Sequence, residues 1–135
     1  MALAEQVVRY SVMVEQTNYL DYTRIIQLKL ESGTNVYIGF PEARPAGWLQ
    51  FPPVVPPGNV NIFMTADQYD DVYHILQTEN PAFCTALDLE GIQIGAVHTE
   101  LDLTVGEPAS EGYQANSLEA LIVRAQKQAA GNQQA

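Results

Sequence analysis

Six of the eight prolines in this 135-residue chain fall within residues 41–57, around its single tryptophan, Trp48. Proline has no N–H to donate to a sheet, so this segment is not expected to form a central strand. We expect an ordered loop or an edge excursion. Its apolar side chains either bury against an open end of a sheet, which we favour, or form an exposed surface for a partner or ligand. These side chains are Trp48, Leu49, Phe51, Val54 and Val55.

The chain before this segment alternates apolar and polar residues with period two, a pattern typical of strands with one packed face. The alternating runs are residues 8–14, 26–30 and 36–40, and a Ser-Gly turn at Gly33 joins the last two. Glycine supplies the positive φ that a tight hairpin needs. We therefore expect an antiparallel meander, with the basic residues on its wet face. These are Arg9, Arg24 and Lys29.

A helix is predicted after the next alternating run, residues 60–64. Residues 65–68 read Thr-Ala-Asp-Gln, which is the pattern of a capping box for a helix that begins at residue 66. Apolar residues then recur at i, i+3, i+4 and i+7, and Asn80-Pro81 ends the helix. The predicted apolar stripe consists of Tyr69, Val72, Tyr73 and Leu76.

Two further strands are predicted after residue 82, with a turn at Glu90-Gly91. The alternation changes phase near Gly95, and a bulge at Gly95 or Ala96 would bring the later apolar residues to the buried side. Those residues are Val97, Leu101 and Leu103. Residues 107–116 resemble a linker in composition, and a C-terminal helix is predicted over about 117–129 before a frayed end.

The predicted fold class is α+β: a curved, mostly antiparallel sheet of about six or seven strands, one central helix at about 66–78 and the C-terminal helix. We expect residues 1–106 to form a single domain, residues 107–116 a linker, and residues 117–135 the helix and its tail. The C-terminal helix is too short to be stable alone, so its apolar stripe must pack on its own sheet or on a neighbouring subunit. That stripe, a candidate interface, consists of Leu118, Leu121 and Ile122.

Charge excludes one large class of function. The formal net charge is -10, and no lysine or arginine lies between Arg44 and Arg124, an interval with eleven carboxylates. Proteins that bind nucleic acid offer lysine and arginine to phosphates, so we expect neither nucleic-acid nor membrane binding. A cationic protein or a small molecule is compatible with this charge. The start of the chain lacks a basic leader and no apolar run is long enough to span a membrane, so we expect a soluble cytoplasmic protein.

Two arrangements of side chains are candidates for chemistry. One is a polar helix face with acidic residues and an imidazole, which either binds a divalent metal or, as we favour, is simply solvated. Its members are Asp67, Asp70, Asp71 and His74. The other is the run from His98 to Asp102, where His98 and Glu100 would be a base and its orienting carboxylate if they lined a cavity. A charged, solvent-facing strand edge is the simpler interpretation.

No phosphate-binding glycine loop, cysteine pair or nucleophile elbow occurs. Cys84, the only cysteine, lies in an apolar run and is expected to be a buried, inert thiol. We predict no catalytic residues, metal site or cofactor, and expect a noncatalytic binding or assembly module that forms a homo-oligomer, with twofold dimers the preferred state. The alternative is a small enzyme or small-molecule binder with a cavity at the sheet, lidded by the Trp48 loop. Candidate binding residues are Trp48, Phe51, His98 and Glu100, with Tyr10 or Tyr37 as further polar groups of the cavity.

Overall fold

A computed structural model describes residues 2–18, 20–89 and 91–99, which form a sheet-rich α+β arrangement. A 3-10 turn, Ala66–Gln68, leads directly into the helix α1, Tyr69–Thr78. The strands are β1 Ala2–Val14, β2 Arg24–Leu30, β3 Asn35–Gly39, β4 Leu49–Gln50, β5 Asn59–Phe63, β6 Phe83–Leu89 and β7 Ile92–His98. The predicted linker and C-terminal helix, with Leu118, Leu121 and Ile122, lie outside the described residues.

The seven strands form one mixed sheet in the order β4-β5-β3-β2-β1-β6-β7. Neighbouring strands are antiparallel except β3 and β5, which run parallel from Asn35↔Asn59 to Gly39↔Phe63. The edge strands β4 and β7 contact each other, and the Trp48 ring lies so close to Gly95 that a Cβ there would be 3.2 Å from the ring. The sheet therefore nearly closes into a barrel.

The parallel pair follows from the path of the proline-rich segment. Residues 41–57 carry the chain back along β3, and β4 pairs with β5 on the way, with Leu49 opposite Ile62. Parallel neighbours need such a long crossover, whereas a hairpin yields an antiparallel pair. The meander predicted for residues 8–40 does form through β1, β2 and β3. The strand after the proline-rich segment joins it in parallel.

The core lies inside this nearly closed sheet. Alternate residues of β2, β3 and β5 point inward and are almost fully buried, as the alternation predicts: Ile26, Leu28, Leu30, Val36, Ile38, Val60 and Ile62. The α1 helix adds Val72 and Leu76, which are also buried. The Gln68 side chain accepts a hydrogen bond from the Thr65 N–H at 3.0 Å, which completes the predicted capping box. Gly33 has the predicted positive φ, at 93°.

Three predicted details of the sheet are wrong. The β6–β7 register runs without a shift from Phe83↔His98 to Leu89↔Ile92, so there is no bulge at Gly95 or Ala96; Val97 is nevertheless buried. The described sheet instead has an irregularity in β1, between Val7 and Arg9. Arg24 is not on the wet face, because it shares the face of Ile26 and lies 4.6 Å above the Tyr69 ring.

The third error concerns burial along β1. The alternation predicts a packed stripe at residues 8–14, but Val14 is 71% exposed and Val8 is 57% exposed. Period-two alternation predicts which residues share a face, whereas burial depends on whether another element covers that face.

Within the described residues, no helix has the length and apolar character needed to cross a membrane.

Candidate functional site

Both ring nitrogens of His98 lie within hydrogen-bond distance of a partner. The His98 Nε2 lies 2.8 Å from the Thr85 hydroxyl and its Nδ1 lies 2.7 Å from the Thr99 carbonyl oxygen. The imidazole also stacks on the Phe83 ring, with centroids 6.0 Å apart. Both ring nitrogens therefore have partners within the sheet. Glu100, the predicted orienting carboxylate, lies outside the described residues.

The two tyrosines considered with His98 lie on opposite faces of the sheet. Tyr10 is opposite Leu28 and shares its inward face, whereas Tyr37 is opposite Gln27 and faces outward. The Tyr10 ring packs edge-on against Tyr73 of α1, at 6.4 Å. These side chains cannot line one cavity.

The acidic face of the helix carries no metal-binding cluster. Asp67, Asp70, Asp71 and His74 are all exposed. No group of three or more His, Cys, Asp or Glu side chains in the described ranges is arranged to hold a metal ion. The structure places these groups on a solvated face.

Cys84 is fully buried, and burial raises the pKa of its thiol to about 12, with a smaller contribution from the Glu5 carboxylate. The thiolate is the reactive form of cysteine, so this thiol is inert at neutral pH.

Trp48 and Phe51 belong to the core rather than to a lid. Trp48 is half-buried between β4 and β7, and the Arg44 guanidinium lies 5.1 Å from its ring centroid. Phe51 is half-buried and also packs against the core. Other residues of the proline-rich segment nevertheless line a cavity.

This cavity, here called the proline-loop cavity, has a volume of about 640 Å³. The connection between β1 and β2 forms one wall, the start of the proline-rich segment forms another, and β4 and β5 complete it. The lining residues are Leu20, Asp21, Tyr22, Pro41, Glu42, Ala43, Pro45, Gly47, Gln50 and Phe63. Its volume is within the range of ligand sites, about 300–1,000 Å³.

A glycine in β3 makes the aromatic floor of this cavity possible. A Cβ on Gly39 would lie 3.0 Å from the rings of both Phe63 and Tyr22, which is tighter than most real Cβ contacts and would push the rings away. Without that atom, the two rings settle over β3 with their centroids 5.7 Å apart. Glycine inside a strand often marks such a close approach. Gly39 is thus the sequence signal that could have pointed to this site.

Polar groups are few in the cavity. The side-chain carbonyl oxygen of Gln50 accepts a hydrogen bond from the side-chain NH₂ of Asn61 at 3.0 Å. The side-chain NH₂ of Gln50 therefore faces the lining near Gly47. Burial, and secondarily the charge of Glu15, raises the pKa of the Tyr22 hydroxyl. Tyr22 therefore stays neutral at physiological pH and can donate or accept a hydrogen bond.

The charged side chains that the structure describes in the cavity lining are of one sign. Asp21 and Glu42 are exposed there, and no lysine or arginine of the described residues joins them. Arg44, the nearest cation in sequence, lies over the Trp48 ring instead. An amine or guanidinium at this rim would be attracted, and an anion repelled.

Sequence reasoning missed most of this lining because its members are separated along the chain. Tyr22 lies on the connection between β1 and β2, Pro41 on the proline-rich segment and Phe63 on β5, and no periodicity links these segments. Comparisons with protein-family models, with curated proteins and with solved structures found no match for this chain. The proline-loop cavity is therefore interpreted from its geometry and chemistry.

Proposed function

We propose that this protein is a noncatalytic binding module that holds a small, mostly apolar amine in the proline-loop cavity. The observation that carries the proposal is the combination of an aromatic floor, Tyr22 and Phe63, with a rim that bears Asp21 and Glu42 and, among the residues the structure describes, no cation. An apolar body would cover the rings while its ammonium group meets the carboxylates.

Binding is favoured over catalysis by the state of the reactive side chains. The His98 Nε2 is hydrogen-bonded to the hydroxyl of Thr85, which is 2% exposed, and the Cys84 thiol is buried with its pKa raised to about 12. A general base must lie within hydrogen-bond reach of the substrate proton and a cysteine nucleophile must be accessible as the thiolate, yet neither His98 nor Cys84 lines the proline-loop cavity. The cavity itself offers an amide, a hydroxyl and two carboxylates, which suit recognition of a ligand.

The test is isothermal titration calorimetry of the full chain with 2-phenylethylamine and with 3-phenylpropionate, which share an apolar body and differ in charge. We expect the amine to bind and the acid to bind at least tenfold more weakly. The double variant Asp21→Asn/Glu42→Gln should weaken amine binding roughly three- to tenfold, because exposed charge pairs contribute about 0.2–1 kcal/mol each. Equal binding of both compounds, or of neither, would contradict the proposal.

A matched control separates local from general charge effects. Asp70→Asn/Asp71→Asn changes the net charge by the same amount, on the exposed face of α1. It should leave amine binding unchanged. Gly47→Leu should abolish binding, because the Cβ position of Gly47 lies 3.6 Å from the Gln50 amide inside the lining. Retained binding in Gly47→Leu would place the ligand elsewhere.

We also propose that the protein is a cytoplasmic homo-oligomer, with a dimer as the preferred state. Residues 117–129 are proposed as a C-terminal helix that packs through its apolar stripe, and the sheet is proposed to be curved and, apart from the β3–β5 pair, antiparallel. Light scattering of the full chain tests the dimer. Truncation after Glu111 should lower the oligomeric state if the tail contributes, and an unchanged state would make the tail an appendage.

A further inference from the structure

The second half of β1 leaves one edge of the sheet open. The β6 strand pairs with β1 only from Ala2 to Gln6, whereas β2 pairs with β1 from Val7 to Val14. Beyond Gln6, no described strand occupies the other side of β1. We call residues 9–14 the β1 open edge. It is a row of unpaired backbone groups inside a strand that is otherwise well formed.

The hydrogen-bond alternation shows which backbone groups face outward. The Glu15 N–H donates to the Thr23 carbonyl at 2.7 Å, so Glu15 is bonded to the β2 side. In an antiparallel pair, every second residue is bonded to the same neighbour. Residues 9, 11 and 13 therefore bond to β2. The N–H and C=O groups of Tyr10, Val12 and Val14 point toward the open edge.

The side chains along this edge are apolar and accessible. Val14 is 71% exposed, Met13 is 54% exposed and Tyr10 is 37% exposed. Sheet proteins usually protect such edges with proline, lysine or a covering element. Residues 9–14 contain neither proline nor lysine. An edge of this kind is a template for another strand.

The charge of Arg9 indicates which kind of strand would pair with the β1 open edge. It lies directly opposite Lys29 in the β1–β2 register, and like charges in that position are destabilising. No carboxylate among the described residues forms an ion pair with Arg9. Glu15 lies on the same outward face, six residues along the strand, where its charge reaches Tyr22. One strand thus carries an unpaired cation at one end and a carboxylate at the other.

We propose that two copies of this chain pair antiparallel through their β1 open edges, about a twofold axis at Val12. Val12 then faces Val12 of the second copy, and Tyr10 faces Val14. Both are pairs whose backbone groups point outward, so each exchanges two N–H···O bonds. Arg9 lies opposite Glu15 of the second copy, twice across the axis.

The charge pattern selects this register over its neighbours. An axis at Ser11 places Arg9 opposite Met13, and an axis at Met13 places it opposite Thr17. An axis between two residues would put inward side chains opposite outward ones. Only the axis at Val12 gives Arg9 a carboxylate and also relieves its repulsion with Lys29. A strand complementary to itself in this way favours a second copy over an unrelated protein.

This inference rests on the homo-oligomer part of the proposed function and is independent of ligand binding. The first experiment is oxidative cross-linking of Val12→Cys. Opposed Cα atoms in such a pair are about 5.5 Å apart, within the range of a disulfide. In the same register, two copies of Tyr10→Cys are offset by four residues, roughly 13 Å. The native Cys84 is buried and does not compete.

We expect a covalent dimer for Val12→Cys on a nonreducing gel and little for Tyr10→Cys. The second experiment reverses charges: Arg9→Glu and Glu15→Arg should each raise the dimer dissociation constant at least fivefold, and the double variant should restore it. Asp70→Lys, a charge reversal on α1, should have no such effect. Sedimentation velocity measures the dissociation constants, and circular dichroism confirms that each variant is folded.

The outcomes separate the two proposals. A full chain that is monomeric at micromolar concentration overturns both the homo-oligomer and this interface. This interface alone is overturned if the full chain forms a stable oligomer, its dissociation constant is unchanged by both charge reversals, and Val12→Cys does not cross-link. Restoration by the double variant together with selective cross-linking at residue 12 supports it.

Discussion

The two halves of β1 differ in how their edges are finished. In the first half, Ala2–Gln6, one side pairs with β6, and residues 31 and 32 bond to its end at Glu5 and Gln6. The Ser32 N–H donates to Glu5 at 2.8 Å, and the Gln6 N–H donates to Glu31 at 3.0 Å. In the second half, Tyr10, Val12 and Val14 have no such partners on their outer side among the described residues.

This difference shows that one part of a strand can lie in the interior of a sheet while another part lies at its edge. The first half pairs with β6 along its length and is also bonded to residues 31 and 32 at its end, so a change there disturbs these contacts. Among the described strands, the second half pairs only with β2, so its other side is available for assembly. The following predictions test whether the two halves behave as differently as their contacts indicate.

The largest expected effect comes from introducing a proline into the first half of β1. The Val7 N–H donates to the Ala82 carbonyl at 2.9 Å, so by alternation Leu3 is also hydrogen-bonded to β6. Leu3→Pro removes that bond and disturbs packing on the core, and should lower the free energy of unfolding by about 3 kcal/mol. Urea denaturation measures it. Val14→Pro, whose N–H faces the open edge, should cost less than about 1 kcal/mol at low protein concentration.

An alkaline pH dependence is expected from Cys84, which faces Glu5 in the first half of β1. Its pKa is raised from 9.0 to about 12 in the folded state, so the unfolded chain loses the proton first as pH rises. The stability is fully present below about pH 9 and falls as pH rises toward 12, by at most about 1.4 kcal/mol per pH unit. Urea denaturation at pH 8 and at pH 10.5 measures the slope.

Cys84→Ala should flatten that dependence while lowering stability at pH 8. Tyr22 and Tyr69, whose pKa values are also raised by burial, act in the same direction. Tyr22→Phe and Tyr69→Phe therefore separate their contributions from that of the thiol. If Cys84→Ala keeps the full slope, the thiol is not responsible for it.

A smaller effect on stability is expected from Glu5, whose carboxylate bonds to Ser32 near the end of the first half of β1. Glu5 accepts hydrogen bonds from the Ser32 N–H and hydroxyl, at 2.8 and 3.0 Å. Glu5→Ala should lower the free energy of unfolding by about 1 kcal/mol, since these bonds are partly exposed to water. Thermal denaturation monitored by circular dichroism measures it. Glu79→Ala, an exposed carboxylate after α1, is the control and should be nearly silent.

The smallest effect is expected at the open edge itself. Val14 is 71% exposed, so Val14→Thr should change monomer stability by less than about 0.5 kcal/mol. The β-branched shape that suits a strand is kept. A loss above about 1 kcal/mol under monomeric conditions would mean that Val14 is covered, and the contrast between the two halves would then be wrong.

Much of the local structure could be predicted because it depends on neighbouring residues. Alternation identified the inward residues of β2 and β3, and the pattern from Thr65 to Gln68 identified the start of the helix. The candidate site could not be predicted in this way. The favoured prediction was that Trp48 would bury against an open end of the sheet, and it does pack toward Gly95; that Pro41 and Pro45 would line a cavity was not predicted.

The sequence by itself determined the faces of the strands, the turn at Gly33, the capped helix and the negative charge of the body. Only the tertiary structure decided that β5 runs parallel to β3, that Tyr22 and Phe63 meet over Gly39, and that β1 has one open edge. The physical reason is range. Periodicity and capping act over a few residues, whereas strand neighbours, close approaches and edges depend on which distant segments come together, and that is set by packing of the whole chain.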